Sequence, residues 1–325
     1  MGDALLTVED LKVHFPVDEG LLKAVDGVSY ELGRGETLGI VGESGSGKTV
    51  SSLAVIGLLE RASAQVASGS IIFEGRDLLK LGERGMSDVR GRKISMIFQE
   101  PMTSLNPVLT IGYQIEEVLR RHLDLSRREA RSRALELLDL VGIPSSKTRI
   151  DEYPHQLSGG MRQRVMIALA LACEPGLLIA DEPTTALDVT VQAQILDLIV
   201  GLQEKFGTSI MLITHDLAVI AETAHRVAVM YAGRIVEQGP VTAIFDNPRH
   251  PYTKGLLRSI PRIERARQRR LAEIAGVVPN LTDLPQGCSF ADRCPLADDH
   301  CRRREPLLEP IEIGHVAACW KAQDV

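Results

Sequence analysis

The period of the apolar positions changes several times along this chain. Residues 5–15 and 28–32 mix apolar and polar positions in near alternation, which predicts strands. Thr37–Val41 is a short apolar run that closes on a glycine-rich loop, and residues 48–59 then read as a helix. Residues 71–74 and 94–98 are further strand candidates. From 111 to 141 the spacing turns helical, with Ile115, Val118 and Leu119 on one face and Ala134, Leu137, Leu138 and Val141 on another. Residues 161–173 form an apolar helix. Strands return at Leu177–Asp181, 210–214 and 227–231, with a helix over 191–206 between them. Strand and helix in alternation predict an α/β fold with a mostly parallel, covered sheet and a helical insertion at about 100–165. Beyond Ile244 the texture changes. Prolines recur at 248, 251, 261, 279, 285 and 295, and four of the five cysteines follow residue 287. A boundary is expected near 245, dividing the chain into 1–245 and 246–325.

Composition narrows the classes without choosing among them. The chain has 325 residues, 44% hydrophobic and 25% charged, enough for one large domain and an appendage. A net charge of −6 gives no reason to expect a nucleic-acid partner. The first ten residues carry acidic side chains and no basic one, unlike a secretory signal. Leu6 stands where a myristoylation site needs Ser or Thr. The longest apolar stretch, 165–172, is cut by Glu174 and Pro175, well short of the ~20 residues that span a bilayer. Any membrane role is expected to be by docking.

The chemistry begins at Gly42-Glu43-Ser44-Gly45-Ser46-Gly47-Lys48-Thr49. This spacing is a phosphate cradle. Glycines let backbone N–H groups from Gly45 to Thr49 face the β-phosphate at a helix N-terminus, Lys48 bridges β- and γ-phosphates, and the Thr49 hydroxyl ligates Mg²⁺. The strand before it and the helix after it are what the motif requires, which weighs against a chance glycine-rich turn. Leu177-Leu178-Ile179-Ala180-Asp181-Glu182 is an apolar strand ending in two acids. Such a strand delivers carboxylates to the sheet edge beside the cradle, with Asp181 toward Mg²⁺ and Glu182 as general base for the attacking water. The plainer alternative is an acidic strand end in solvent.

Leu157-Ser158-Gly159-Gly160-Met161 resembles the signature of ATP-binding-cassette (ABC) ATPases. The resemblance covers about residues 5–245 and implies a P-loop NTPase fold with a helical subdomain and an antiparallel β subdomain. It implies that Gln99 touches Mg²⁺ and the water, that His215 contacts the γ-phosphate, and that Phe15 stacks on adenine. It also implies that the Ala186-Leu187-Asp188 loop crosses a dimer interface. Ser158 also reads as a helix N-cap. With Gly159 and Gly160 it would bind the γ-phosphate of ATP held by an opposite subunit, so one chain would not build a complete site.

One signature in the chain, only 108 residues after Thr49, favours a separate transporter subunit over DNA-repair or translation ABC proteins. Residues 94–110 resemble ATPases of dipeptide, oligopeptide and nickel importers, and so does Asn247-Pro248-Arg249-His250-Pro251-Tyr252-Thr253-Lys254, which otherwise reads as a proline-rich linker. As a whole the chain is similar to the D-type ATPase subunits of bacterial dipeptide permeases. That implies ATP hydrolysis driving uptake of dipeptides or oligopeptides at the cytoplasmic side of the inner membrane. The implied partners are a second, related ATPase in a heterodimer, two permease subunits and an external peptide-binding protein. The same engine with nickel, glutathione or antibiotic-like peptides as cargo is the alternative, and a regulatory ABC ATPase without a transport partner is a further one.

Cys288, Cys294, Cys301 and Cys319 have five, six and seventeen residues between them, without the tight pair usual in structural zinc sites. Four thiolates on a loop-rich segment suit a [4Fe–4S] cluster, which the resemblance also implies; zinc and four free thiols are the alternatives. His300 and His315 are substitute ligands or, more plainly, solvated side chains. Cys173 reads as a small buried hydrophobe. The basic run 262–270 is compatible with anionic lipid or an acidic partner, and more plainly with a solvated connecting helix.

Overall fold

The computed structural model describes residues 4–60, 64–99, 104–184, 188–260 and 274–325. The strands are β1 (Ala4–Val17), β2 (Gly20–Gly33), β3 (Thr37–Val41), β4 (Gln65–Phe73), β5 (Arg76–Asp77), β6 (Ile94–Ile97), β7 (Leu177–Asp181), β8 (Ser209–Ile213), β9 (Arg226–Tyr231), β10 (Arg234–Pro240), β11 (Glu309–Glu312) and β12 (His315–Ala317). They form a four-stranded antiparallel sheet, β2-β1-β4-β5, and an eight-stranded sheet, β11-β12-β10-β9-β3-β8-β7-β6. Strands β9, β3, β8, β7 and β6 are mutually parallel. β10, β12 and β11 continue the sheet antiparallel.

The parallel strands are buried on both faces, which is why they read as continuous apolar runs. Leu177, Ile179, Met211, Ile213, Leu38 and Ile40 point into one core, shared with β1, β2 and the helix Lys48–Ile56. Leu178, Ala180, Ile210, Leu212 and Val41 point into the other, shared with the helical layer. The stretch predicted as helical over 111–141 is two helices, Ile111–Leu123 and Arg127–Leu140. Asp124 stops the first in the left-handed region, at φ 51°, and a Ser126–Glu129 capping box starts the second. The helix after the cradle ends at Ile56, short of residue 59, because Gly57 takes the left-handed C-cap at φ 67°.

β10, β11 and β12 were not legible as strands, and they dock the C-terminal segment. β12 pairs with β10 through Glu237 and Gln238 opposite Ala317 and Val316, so residues beyond 300 belong to the main sheet. Glu237 is fully buried and accepts from Arg249 N at 2.6 Å, His250 N at 3.0 Å and His315 Nε2 at 2.8 Å. His315, expected in solvent, is therefore buried: an unpaired carboxylate inside the protein would be costly, and the imidazole satisfies it. His300 packs edge-on against Trp320 with centroids 4.7 Å apart. The run 262–270 lies outside the described residues. None of the described helices is long and apolar enough to cross a membrane.

Candidate ATP site

The chain leaves β3 at Val41 and enters the helix Lys48–Ile56 through Gly42–Gly47. Gly47 is the N-cap, at φ 101°, and supplies no side-chain cap. A Cβ there would lie 2.3 Å from the carbonyl oxygen of Ala24, so only glycine fits. Helix N-terminal amides without a side-chain cap, at the positive end of the macrodipole, are suited to a phosphate. Lys48 is 6% exposed, and its Nζ donates to the carbonyls of Gly42 at 2.8 Å and Glu43 at 3.0 Å. Burial lowers its pKa, while Glu182, Asp181 and Glu43 oppose that shift.

Asp181 ends β7 and is buried. Burial raises its pKa, the Thr49 hydroxyl bonded to it lowers it, Glu182 raises it and Lys48 lowers it, with a net upward shift. Its Oδ1 is buried with no protein partner. An orphaned carboxylate oxygen beside a threonine hydroxyl fits the hard oxygen set of Mg²⁺.

Glu182 follows directly, in the left-handed region at φ 47°, where a non-glycine residue is strained. Its amide donates to Ile213 O at 2.8 Å, which fixes the turn to the end of β8. One carboxylate oxygen accepts from Gln99 Nε2 at 2.8 Å, and the other lies 3.1 Å from His215 Nδ1. Gln99 follows β6 and His215 follows β8, so three neighbouring strand ends bring these side chains together. A cavity of about 560 Å³ opens beside them, lined by Phe15, Leu22, residues 44–50, Gln99, Glu182 and Leu281 among others. Phe15 thus reaches the space beside the cradle. Leu281, from the C-terminal segment, was not anticipated; its carbonyl accepts from Lys23 N at 3.1 Å.

Ser158 caps the helix Gly159–Ala170, accepting from Met161 N at 3.3 Å. Gly160 lies close under Val191, where a Cβ would approach Val191 Cγ1 to 2.9 Å. Asp188 caps the helix Val189–Phe206, accepting from Val191 N at 2.9 Å. Ser158 and Asp188 are exposed, and neither they nor Gly159 and Gly160 line the cavity. Gln163, inside the signature helix, donates to Pro183 O, so that helix is bonded to the residue after Glu182. Ala186 and Leu187 lie outside the described residues.

The four C-terminal cysteines carry no disulfide. Burial pushes Cys288 up to about 11 and Cys319 up to about 12, and raises Cys294 as well. Cys319 is further raised by Cys288, Cys294 and Cys301, so the four thiols are electrostatic neighbours. Gly287 makes this approach possible, since a Cβ would lie 2.3 Å from Cys301 O, and Cys288 N donates to that oxygen at 2.8 Å. Among the described residues no three His, Cys, Asp or Glu side chains converge on one metal ion. Cys173 is buried and its thiol is raised to about 11, as a packing residue would be.

A cradle after the central strand, two acids at the end of β7 and a glycine-led signature helix define the ATP-binding cassette. The family model "ABC transporter" matches residues 25–185, and "Oligopeptide/dipeptide transporter, C-terminal region" matches 236–301. The chain belongs to the ABC transporter ATP-binding proteins. It is 52% identical over 316 residues to the dipeptide transport ATP-binding protein DppD of Escherichia coli (strain K12), spanning 97% of this chain and 96% of that one. It is likewise 52% identical over 316 residues to the oligopeptide transport ATP-binding protein AppD of Bacillus subtilis (strain 168), spanning 97% and 96%. The solved post-hydrolysis state of the ATP-binding cassette MJ0796, a dimer bound to ADP and Pi, superimposes with a TM-score of 0.65 at 29% identity, covering 73% of this chain and 98% of that one.

Proposed function

We propose that this chain is the ATP-hydrolysing subunit of an importer for dipeptides or oligopeptides. The observation that carries the reading is the convergence of Gln99 and His215 on Glu182 beside the Lys48–Thr49 cradle. That engine stands in a chain carrying an oligopeptide/dipeptide transporter C-terminal region. Residues 1–245 form the ATPase unit and 246–325 the extension that docks on it.

Gly42, Ser44, Gly45, Ser46 and Gly47 shape the loop around the phosphates, and Lys48 turns from the loop carbonyls to the β- and γ-phosphates when ATP arrives. Phe15 stacks on the base. Thr49, Asp181 and Gln99 would hold Mg²⁺, which when bound would supply charge neutralisation at the phosphates. Glu182 accepts a proton from the attacking water, and His215 holds the carboxylate and meets the γ-phosphate. Ser158, Gly159, Gly160 and Asp188 act on ATP bound by the opposite subunit, a reading supported by the exposure of Ser158 and Asp188 and by the position of all four outside the cavity. That opposite subunit is a second, related ATPase. The pair docks on two permeases at the cytoplasmic face of the inner membrane, supplied by an external peptide-binding protein.

Cys288, Cys294, Cys301 and Cys319 would hold a [4Fe–4S] cluster. What supports the reading is that the four thiols are electrostatic neighbours, four being the ligand number such a cluster takes. Such ligation displaces thiol protons that burial otherwise retains. Anaerobically purified protein is expected to carry iron, sulfide and visible charge-transfer absorption; iron-free protein removes the cluster.

The test of the main reading is ATP turnover in liposomes holding this chain, the partner ATPase, both permeases and the binding protein. Stimulation by a dipeptide is the expected result. Turnover indifferent to every peptide would sink the peptide assignment while leaving the ATPase.

A further inference from the structure

The first residue of the cradle after Gly42 is held from 250 positions away in sequence. Both guanidinium arms of Arg293 meet the carboxylate of Glu43, Nη1 at 2.7 Å and Nη2 at 3.0 Å. Arg293 lies in the cysteine-bearing loop, immediately before Cys294. Its side chain is 4% exposed, against 31% for Glu43. The remaining donors are also used: Nε to Ala275 O at 3.1 Å, Nη2 to Ile274 O at 3.2 Å, and Nη1 to the Tyr231 hydroxyl at 3.4 Å. All five N–H groups that a guanidinium owns are therefore engaged. The rings of Tyr231 and Phe290 flank it, with centroids 5.7 and 5.8 Å from Cζ.

The extension grips Glu43 a second time. The Tyr252 hydroxyl accepts from Glu43 N at 2.8 Å, and Tyr252 itself is fully buried. Meanwhile Glu43 O accepts from Lys48 Nζ and from Ser46 N at 3.2 Å. Amide, carbonyl and carboxylate of this one loop residue are all fixed, two of them by the extension. Surface ion pairs contribute little, but a bidentate pair with a buried, fully bonded arginine holds geometry.

We infer that Arg293 is a positioning residue for ATP, holding the phosphate cradle in its binding shape through Glu43. The inference rests on the reading of residues 42–49 as the ATP cradle. A loop already in its bound shape loses less conformational freedom when the ligand arrives, so releasing Glu43 weakens ATP binding without removing any group that touches ATP. The extension thereby sets the affinity of the ATPase unit on which it docks.

The test is the Kd of the purified full-length chain for a non-hydrolysable ATP analogue with Mg²⁺, measured by calorimetry. Arg293→Gln and Glu43→Gln are each expected to raise Kd at least about fivefold, the low end of coupling between sites. The double variant is expected to bind no more weakly than the weaker single one, because both remove the same contact. Arg293→Lys keeps the charge without the fork and is expected to recover only part of the affinity. Should Arg293→Gln fail to fold, Glu43→Gln carries the test, since it changes a partly exposed carboxylate and leaves the extension intact. Wild-type Kd in Arg293→Gln and Glu43→Gln, or losses that multiply in the double variant, would overturn the inference. Lys48→Ala in parallel separates the two readings. Lost affinity there, with wild-type Kd in Arg293→Gln and Glu43→Gln, overturns the positioning role alone. Retained affinity overturns the cradle and the positioning role with it.

Discussion

Glu182 is the residue to which the proposed function assigns the general-base role. It is held at a strained backbone angle by its amide bond to Ile213, and its carboxylate is oriented from both sides by Gln99 and His215. A strained residue at a site where neighbouring strands end is consistent with a functional position, and the two contacts orient the carboxylate for the proposed role of accepting the proton of the attacking water. Glu182→Gln preserves shape and hydrogen bonding but cannot accept the proton. ATP binding is expected to persist while turnover falls at least about 100-fold, within the range general base catalysis supplies. Undiminished turnover would remove Glu182 from that role. Lys48, Thr49, Asp181 and Glu182 were legible because each belongs to a short motif whose chemistry demands that spacing. The contacts that Arg293, Tyr252 and Leu281 make around the cradle were not. Each reaches the cradle from the C-terminal segment, and no local spacing encodes a contact across more than 200 residues.

At the level of elements, the buried parallel strands were read almost to the residue, since burial on both faces leaves an unbroken apolar run. β10 escaped because it carries polar residues that only the fold satisfies, Glu237 and Gln238 being buried, and β11 and β12 because they are short, with most of β11 exposed. The helix Pro251–Arg258 shows the same dependence. His250 is its N-cap, with Nδ1 accepting from Tyr252 N at 3.1 Å, and Pro251 occupies the first turn. The neutral ring therefore carries its proton on Nε2. Burial pushes its pKa down to about 3. In the unfolded chain a histidine titrates near ~6.5. Between those values the unfolded chain binds a proton that the folded chain refuses, so stability rises with pH across that window and is lost on acidification. Around it lie the Phe290 ring, centroids 5.7 Å apart, and Glu237, whose carboxylate takes the His250 amide. His250→Asn keeps a capping oxygen but does not titrate. Urea unfolding from pH 7 to pH 5 is expected to show a shallower loss in the variant, the difference approaching about 1.4 kcal/mol per pH unit at most for one group. Parallel slopes would show that His250 is not the group responsible.

For the whole molecule, the cavity beside the cradle is lined by the candidate nucleotide residues together with Val17, Leu22, Ala24 and Leu281. Phe15, Lys48, Thr49, Gln99 and Glu182 face it, while Ser158 and Asp188 are exposed elsewhere on the surface. A glycine-led helix N-terminus facing solvent has no phosphate of its own to meet, which is the arrangement expected if the phosphate is borne by another subunit. Gln163 ties that helix to Pro183, next to Glu182, so the signature helix and the end of β7 are linked within the chain. Hydrolysis would then remove the γ-phosphate that joins the subunits and release them, a change driven by loss of a ligand that favours the closed state. Ser158→Arg puts a long cation where the opposite phosphate would arrive, and leaves the cradle of the same chain untouched. The isolated variant is expected to bind the ATP analogue with wild-type Kd, whereas ATP turnover by the assembled transporter falls at least about 100-fold. Weakened binding in the isolated chain would mean that Ser158 supports its own cradle. Normal turnover in the assembly would mean that each subunit hydrolyses ATP without its neighbour's signature helix.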